Sequence, residues 1–217
     1  MTDFATVREA MVDGQVRPSD VTLYPVIEAM LSVPREDYVP GALREIAYIG
    51  DHLPLGDGRV VLDARVMAKM LETLDIQPTE LVLDIGAGMG LSAALIAHLA
   101  EAVVAVEPNE AMAKEAEALL ASHDVDNAMV EVAPLHEGAP KHGPYDVIVI
   151  EGGVGEMPDT ITSQLKTGGR IAAIFMDGAL GRCMLGLKTK DGMVWRWSFD
   201  AAAPVLAGFE KRTIFAF

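Results

Sequence analysis

The chain has 217 residues, of which 51% are hydrophobic, and its mean hydropathy is +0.27. A chain of this kind buries a sizeable core, which excludes an intrinsically disordered protein. Lysine and arginine total 17 against 32 aspartates and glutamates, and the net charge of -15 repels nucleic-acid phosphates and anionic lipid surfaces. Nucleic acid is therefore not an expected partner.

Features that bear on the cellular compartment favour the cytoplasm. The one cysteine, Cys183, has no partner for an internal disulfide, and the N-terminal residues lack the pattern of a signal peptide. The longest apolar stretch, residues 91–106, is too short to span a bilayer. The five histidines do not stand at metal-ligand spacing with one another or with Cys183. We expect a cytoplasmic protein with no membrane segment and no metal site.

Residues 1–80 are predicted to form a helical extension that packs on a core. Prolines interrupt its helical patterns, since a helix rarely continues through a proline. The last helix is the clearest, and we place it at residues 64–74 with Asp63 as its N-cap. Its apolar residues recur every three or four positions, which is typical of a helix packed against something larger. They are Leu62, Val66, Met67, Met70, Leu71 and Leu74.

Residues 81–217 alternate short apolar runs with helical patterns. The predicted strands are Leu81–Ile85, Val103–Val106, Met129–Val132, Val147–Ile150 and Ile171–Phe175, and the helices between them are Leu91–Leu99, Glu110–Leu120 and Asp159–Leu165. This alternation predicts a doubly wound, mostly parallel α/β sheet covered on both faces. Residues 184–190 and 193–199 flank Asp191-Gly192 and predict a hairpin at an antiparallel edge.

The segment that follows the first core strand predicts a binding loop. Ligands of doubly wound sheets bind beyond the carboxyl ends of the strands. Glycines allow a sharp bend and a close approach of a ligand, and the next helix begins with unpaired N–H groups. We therefore predict a site for a nucleoside-like ligand. Its residues are Asp84, Gly86, Ala87, Gly88 and Gly90.

Glu107 is the second element of the predicted site. It ends the next strand, 23 positions after Asp84, where a carboxylate can accept hydrogen bonds from two ribose hydroxyls. The alternative is a solvated acid before Pro108. Asn109 is predicted to cap the following helix.

The spacing of the glycines distinguishes between nucleosides. A nicotinamide-dinucleotide site usually has Gly-x-Gly-x-x-Gly, but here the third glycine comes one residue early, so a reductase is the weaker alternative. The Gly-Lys-Ser/Thr of a phosphate-binding P-loop is absent from the loop. The acid-x-Gly-x-Gly-x-Gly spacing of residues 84–90 resembles the first motif of Rossmann-like methyltransferases that use S-adenosylmethionine.

Nearly the whole chain resembles the protein-L-isoaspartate O-methyltransferases. Matching segments include Gln15-Val16-Arg17-Pro18, Val33-Pro34-Arg35-Glu36, Leu53-Pro54-Leu55-Gly56, Val82–Gly88, Gly143–Ile148 and Gln164–Arg170. The resemblance implies a Rossmann-like methyltransferase fold, S-adenosylmethionine as cofactor and a protein or peptide substrate. It also implies methyl transfer to the carboxylate of an isoaspartyl residue, a step of protein repair.

The chain departs from the family pattern at three places. The family carries Gln-Thr-Ile-Ser before the helix at residues 64–74, and its serine hydroxyl helps to hold the substrate carboxylate. Here that stretch runs from Arg59 to Leu62, with Leu62 at the serine position. Residues 133–135, Ala-Pro-Leu, replace a Gly-Asp-Gly turn near the adenine, and Glu151 stands where the family has small neutral residues.

These departures lead to a hypothesis about the methyl acceptor. We predict that Arg59, Leu62 and Glu151 lie near the substrate, and that the lost hydroxyl and the added acid favour a neutral or cationic acceptor over a carboxylate. Other interpretations stay open: Arg59 supplies a replacement donor, Leu62 fills the core, or Glu151 faces solvent. An inactive binding or regulatory module with the same fold is the alternative function.

Overall fold

The computed structural model describes residues 2–211, in which seven strands form a central sheet. The strands are β3 (Leu81–Ile85), β4 (Ala102–Val106), β5 (Ala128–Glu131), β6 (Tyr145–Val154), β7 (Leu165–Asp177), β8 (Leu180–Thr189) and β9 (Gly192–Asp200), and β1 and β2 belong to a separate hairpin described below. Their order in the sheet is β5-β4-β3-β6-β7-β8-β9. Pairing is parallel from β5 to β7, whereas β8 and β9 are antiparallel. This confirms the doubly wound sheet with an antiparallel edge. Strand order reverses between β3 and β6, which is where ligands of such sheets bind.

Helices of the second region connect the parallel strands. They are α4 (Leu91–Ala97), α5 (Glu110–Ser122) and α6 (Asp159–Ser163). All three begin at the predicted residue. Helices α4 and α6 end two residues earlier than predicted, and α5 ends two residues later. Asn109 caps α5 as predicted, because its side chain accepts hydrogen bonds from two backbone N–H groups of the first turn.

The first region contributes helices and a small hairpin. Its elements are α1 (Phe4–Met11), a π-helical turn (Val12–Val16), α2 (Tyr24–Ser32), β1 (Leu53–Gly56), β2 (Arg59–Val61) and α3 (Ala64–Leu74). Helix α3 lies where the apolar stripe predicts it. One hydrophobic cluster extends from Met11 to Ala203 and so includes residues of both regions. Within residues 2–211, no helix combines the length and the apolar character needed to cross a membrane.

The edge hairpin differs from the prediction at its turn. Thr189 pairs with Gly192, so the two residues of the turn are Lys190 and Asp191 rather than Asp191 and Gly192. Gly192 opens β9 with a φ of +127°, a conformation that favours glycine. Gly192 is therefore the residue after the turn and not, as predicted, the second residue of the turn.

The N-cap of α3 gives a testable prediction. Asp63 accepts hydrogen bonds from the backbone N–H groups of Arg65 and Val66, at 2.7 and 3.1 Å. Replacing Asp63 with alanine should lower the free energy of unfolding by about 1 kcal/mol, because the first turn of α3 loses its acceptor. Urea denaturation measures this effect. Asp63→Asn keeps an acceptor and should change the stability by less than about 0.5 kcal/mol; an equal loss in both variants would contradict the capping role.

Candidate active site

The ends of β3 and β4 and the adjacent part of β6 form the candidate site. Strand β6 continues to Val154, so Glu151 lies within it and not, as the sequence predicts, beyond an end at Ile150. Ile85 of β3 pairs with Val106 of β4 on one side and with Ile150 of β6 on the other. The next residue along each chain segment is Gly86, Glu107 or Glu151, so these three lie side by side at one edge of the sheet. The fold therefore brings together two acids that are 44 positions apart in the sequence.

The loop between β3 and α4 has the backbone that its glycines predict. Gly86 and Gly88 have φ angles of +93° and +57°. A Cβ added at Gly88 would lie 2.7 Å from Cδ1 of Leu55, a residue of β1. The loop is thus bent as expected, and the β1–β2 hairpin packs directly against it.

Glu107 is buried, in contrast to the alternative of a solvated acid. Its carboxylate accepts hydrogen bonds from the backbone N–H groups of Gly88 and Asn109, at 2.8 and 3.0 Å. Both of its oxygens also lie 2.7 Å from Nη1 of Arg59. The strand end thus holds the carboxylate of Glu107 in a fixed orientation.

Asp84 is fully buried behind the glycine loop. Ser92 of α4 donates a hydrogen bond to its Oδ2 at 2.6 Å, while Oδ1 has no partner within the described part of the chain. Burial raises the pKa of Asp84 to about 7, and the charge of Glu107 acts in the same direction, whereas Ser92 and Arg59 oppose the rise. Asp84 therefore has an acceptor atom available for a ligand.

Glu151 of β6 faces the interior and is only 6% exposed, which rules out the interpretation that it faces solvent. Among residues 2–211, none bonds its Oε1. Burial raises the pKa of this carboxyl well above its ordinary value, and Asp84 adds to the rise, while Arg59 and Arg35 oppose it. Burial and Asp84 therefore favour the neutral form of the Glu151 carboxyl, whereas Arg59 and Arg35 favour its anion.

Arg59 lies among the predicted cofactor-binding residues. Besides the contacts with Glu107, its Nη2 donates a hydrogen bond to the carbonyl oxygen of Gly86 at 2.7 Å. The side chain comes from β2 and is 12% exposed, so the ion pair is largely shielded from water. The guanidinium is thus placed over the glycine loop.

Leu62 lies in the hydrophobic core, with 1% of its surface exposed. Its carbonyl oxygen accepts a hydrogen bond from Nη2 of Arg35 at 2.8 Å, and Nε of Arg35 donates to the carbonyl oxygen of Ala47.

Three residues near the site were not predicted as site residues from the sequence, namely Arg35, Ser92 and Leu55. Arg35 and Leu55 occur in the segments that match the family, which is the signal that could have found them.

Little space is left between these groups. The cavity next to Gly86, Ser92 and Glu151 has a volume of about 10 Å³, which is at the lower limit for a single water molecule. On the other side of Glu107, a groove of about 360 Å³ lies against Pro108 and residues 132–136. A nucleoside could enter the groove, but Leu55 and Arg59 fill the region above the loop.

Comparison with known proteins identifies the family. The sequence profile described as Protein-L-isoaspartate(D-aspartate) O-methyltransferase (PCMT) matches residues 8–194. Protein-L-isoaspartate O-methyltransferase 1 of Rhodopseudomonas palustris (strain HaA2) is 38% identical over 170 residues, which are 78% of this chain and 69% of that protein. The chain belongs to the protein-L-isoaspartate O-methyltransferase family. The enzyme of the same name from Syntrophobacter fumaroxidans is 33% identical over 89% of this chain and 90% of its own length.

Solved structures support the fold of the family. A protein-L-isoaspartate O-methyltransferase has a TM-score of 0.81 at 24% identity, covering 94% of this chain and 67% of its own. A structure from Plasmodium falciparum, described as a putative member in complex with S-adenosyl-L-homocysteine, has a TM-score of 0.78 at 17% identity and covers 95% of this chain and 99% of its own. Both likenesses show the Rossmann-like methyltransferase fold.

Members of this O-methyltransferase family use S-adenosylmethionine and act on proteins. The chain is therefore an S-adenosylmethionine-dependent O-methyltransferase by family. The alternative, an inactive binding or regulatory module, is not favoured. The donors and acceptors at the strand ends fit the cofactor. Oδ1 of Asp84 has no hydrogen-bond partner among residues 2–211, so it can accept a hydrogen bond from a donor group of the cofactor. The carboxylate of Glu107 is held in place at the end of β4. The β1–β2 hairpin does not fit a bound cofactor, because its Leu55 and Arg59 side chains occupy the space above the glycine loop.

Proposed function

We propose that this protein transfers the methyl group of S-adenosylmethionine to a carboxylate of a protein or peptide. Glu107 carries the proposal, because two backbone N–H groups fix its buried carboxylate at the end of β4, and displacement of Arg59 leaves two acceptor sites for ribose hydroxyls. The methionine portion of the cofactor would lie against the loop. The residues proposed for it are Asp84, Gly86, Ala87, Gly88 and Gly90. The net charge of -15 supports a partner other than nucleic acid.

The chemistry needs alignment more than it needs a base. S-adenosylmethionine supplies a methyl group on a sulfonium, which is a reactive electrophile. An acceptor carboxylate is already ionised at pH 7, so no proton has to be removed. The contribution of this chain is to orient the two partners and to exclude water. We therefore assign no residue as a general base.

Two chemical classes of methyl acceptor are candidates for this site. The relatives are named for isoaspartyl residues, which supports that carboxylate as the first candidate. Leu62 stands at the serine position of the family and is buried, so the usual hydroxyl donor is lost. Glu151 is a buried acid beside the site, and it repels an acceptor carboxylate only in its ionised form. These two residues favour a neutral or cationic acceptor, such as an amine, as the second candidate. A cationic amine has to release a proton to water before the transfer, because only the free base has the lone pair that attacks the methyl group.

Labelling with a radioactive methyl donor tests both candidates. The substrates are a peptide with one isoaspartyl residue, the same peptide with ordinary aspartate, and a lysine-containing peptide. We expect a methyl ester on the isoaspartyl peptide, at a kcat/KM about 10–100-fold below that of a family member that carries the serine, because one hydrogen bond to a charged group is missing. Esters release methanol in alkali, whereas methylated amines keep the label.

The outcomes separate the candidates. Alkali-labile label on the isoaspartyl peptide alone supports carboxylate methylation, and full family-level activity would show that Leu62 and Glu151 do not impair it. Alkali-stable label supports the cationic acceptor. The Glu107→Gln variant should lose label on every substrate, and the Glu110→Gln variant, which changes an exposed acid three positions away, should keep it. Binding of the cofactor without any label would contradict methyl transfer to these acceptors.

A further inference from the structure

Arg59 makes the contacts that a ligand of the site would need. Nη1 lies 2.7 Å from both oxygens of Glu107, and Nη2 donates to the carbonyl oxygen of Gly86. A carboxylate has about four acceptor sites on its two oxygens. The backbone N–H groups of Gly88 and Asn109 use two of those sites, and the guanidinium uses the others. Two ribose hydroxyls therefore cannot bind Glu107 while Arg59 remains there.

A second side chain of the same hairpin blocks the neighbouring part of the loop. Cδ1 of Leu55 lies 2.7 Å from the position that a Cβ on Gly88 would occupy, so the side chain covers that residue. Leu55 belongs to β1 and Arg59 to β2, and within the described residues 2–211 these strands pair only with each other. The cavity of about 10 Å³ between them and Glu151 is the result. One structural unit thus fills both parts of the proposed cofactor site.

Among residues 2–211, the hairpin does not pair with the main sheet, and Leu53 and Val61 at its base anchor it in the hydrophobic core. It forms a two-stranded sheet of its own, with an irregular register between Pro54 and Gly56. Its turn contains Gly56, Asp57 and Gly58, which have φ angles of +95°, +51° and +73°. The glycines permit these angles at little cost and also permit others, so the turn can change shape. Opening would need no break in the central sheet.

The closed arrangement leaves buried polar atoms without partners, which limits its stability. Within residues 2–211 these include Nε of Arg59, Oδ1 of Asp84 and Oε1 of Glu151. Each buried atom of this kind costs free energy, because it has lost its hydrogen bonds to water without gaining others. Glu151 is also within reach of Arg59, because Nη2 of Arg59 and Cβ of Glu151 both lie 3.4 Å from the Cβ position of Gly86. A displaced guanidinium therefore has another carboxylate close by.

We infer that Arg59 is a built-in competitor of the cofactor, and that the β1–β2 hairpin, residues 53–61, opens to admit it. Opening moves the guanidinium from Glu107 to the neighbourhood of Glu151, where it neutralises the acid beside the acceptor. Cofactor binding and the charge of the acceptor site are thereby coupled. The inference rests on the proposed function for the identity of the ligand, whereas the competition itself follows from the contacts of Arg59.

Titration calorimetry with S-adenosylhomocysteine tests the competition. Arg59→Gln places the residue of the family motif in the hairpin and removes the charge that binds Glu107. If nine-tenths of the molecules are closed, this variant should bind about tenfold more tightly, because the apparent Kd is the intrinsic value divided by the open fraction. Arg59→Lys keeps the charge but cannot make all three contacts, so its affinity should be intermediate. Arg65→Gln is the matched control, since Arg65 is nearby, 42% exposed and paired with Asp63 instead of Glu107.

A thermal-unfolding experiment gives a second measurement. Without ligand, Arg59→Gln should melt at a lower temperature than the wild type, because Glu107 loses its buried partner. Saturating S-adenosylhomocysteine should raise its melting temperature more than that of the wild type, since no competitor has to be displaced. Arg65→Gln should behave like the wild type in both conditions.

The outcomes separate this inference from the proposed function. Tighter binding by Arg59→Gln, or binding by this variant alone, supports the competition. Equal or weaker binding by Arg59→Gln, with measurable binding by the wild type, overturns the competition and leaves the methyl donor in place. If neither protein binds S-adenosylhomocysteine, the proposed function fails and the competition fails with it.

Discussion

Replacing Glu107 with glutamine is expected to weaken binding of S-adenosylhomocysteine at least 100-fold. Two hydrogen bonds from ribose hydroxyls to a charged acceptor contribute about 1.5–3 kcal/mol each, and a factor of 100 corresponds to about 2.7 kcal/mol. An amide cannot replace the carboxylate, because Gly88 and Asn109 already point two N–H donors at it. Calorimetry of the purified variant measures the loss.

The same change should also lower the stability of the protein. Removing one partner of a buried ion pair costs about 3–5 kcal/mol, and we expect the lower end of this range because a second carboxylate, that of Glu151, lies near Arg59. Urea denaturation of Glu107→Gln beside Glu110→Gln tests this, since Glu110 is exposed and its change should alter the free energy of unfolding by less than about 0.5 kcal/mol. Unchanged affinity in a folded Glu107→Gln variant would remove the main support for the cofactor site.

Replacing Asp84 with asparagine is expected to separate stability from binding. Asp84 is buried, and burial raises its pKa to about 7, above the ordinary value of 3.8. The folded protein therefore holds a proton that the unfolded chain releases between these two pH values. This contribution to stability is fully present below about pH 4 and is lost as the pH rises through about 7. The wild type should accordingly melt at a lower temperature at pH 8 than at pH 5.

Asp84→Asn has no carboxyl group to ionise, so its melting temperature should fall less between pH 5 and pH 8. Part of the fall should remain, because the pKa of the Glu151 carboxyl is also raised. At the same time the variant should bind S-adenosylhomocysteine at least tenfold more weakly, because the amide cannot provide the charged acceptor of the free Oδ1. A variant that is more stable at pH 8 and binds as tightly as the wild type would contradict the role of Asp84 in binding.

Asp146 provides a control with the opposite sign. Burial raises its pKa, but hydrogen bonds from Lys166 and from the backbone N–H of Leu81, at 2.8 and 2.9 Å, outweigh this and lower the pKa below its ordinary value. The stability that Asp146 contributes is therefore present above pH 4 and is lost as the pH falls through its folded pKa. Asp146→Asn should lower the melting temperature at pH 8, where Asp84→Asn raises it. A fall in both variants would indicate general damage to the fold.

The closed hairpin explains how a chain with the family's strand ends can have so little free volume. The glycine loop and Glu107 are in place, and the space above them is filled by two side chains from residues 53–61. A site of this kind binds its cofactor only when a competing internal contact is broken. Arg59→Gln is expected to raise the affinity for S-adenosylhomocysteine, because it removes the competing guanidinium. Glu107→Gln is expected to lower that affinity, because it removes the carboxylate that both the guanidinium and the ribose would contact.

Much of the architecture can be derived from the sequence. Continuous apolar runs predict the buried parallel strands, and the period of the stripe in α3 predicts the bounds of that helix. Asp63 and Asn109 are predicted as caps because their side chains are short acceptors placed before apolar turns. The spacing of Asp84, the glycines and Glu107 predicts which strand ends carry the site. These signals are local, since each depends on residues a few positions apart.

What the sequence could not reveal was the position of Arg59 on Glu107, 48 residues away, or the burial of Glu151 behind it. The hairpin of residues 53–61 also has no strong strand pattern, because one of its strands has only three residues and the other contains a proline. The family motif predicts that Arg59 lies near the substrate, whereas the fold places its guanidinium at the strand end proposed to bind the cofactor. Sequence thus determined the strand ends and their acids, through short-range periodicity and turn chemistry. Only the tertiary structure decided which cation neutralises them, because the pairing of buried charges depends on distances that no local pattern contains.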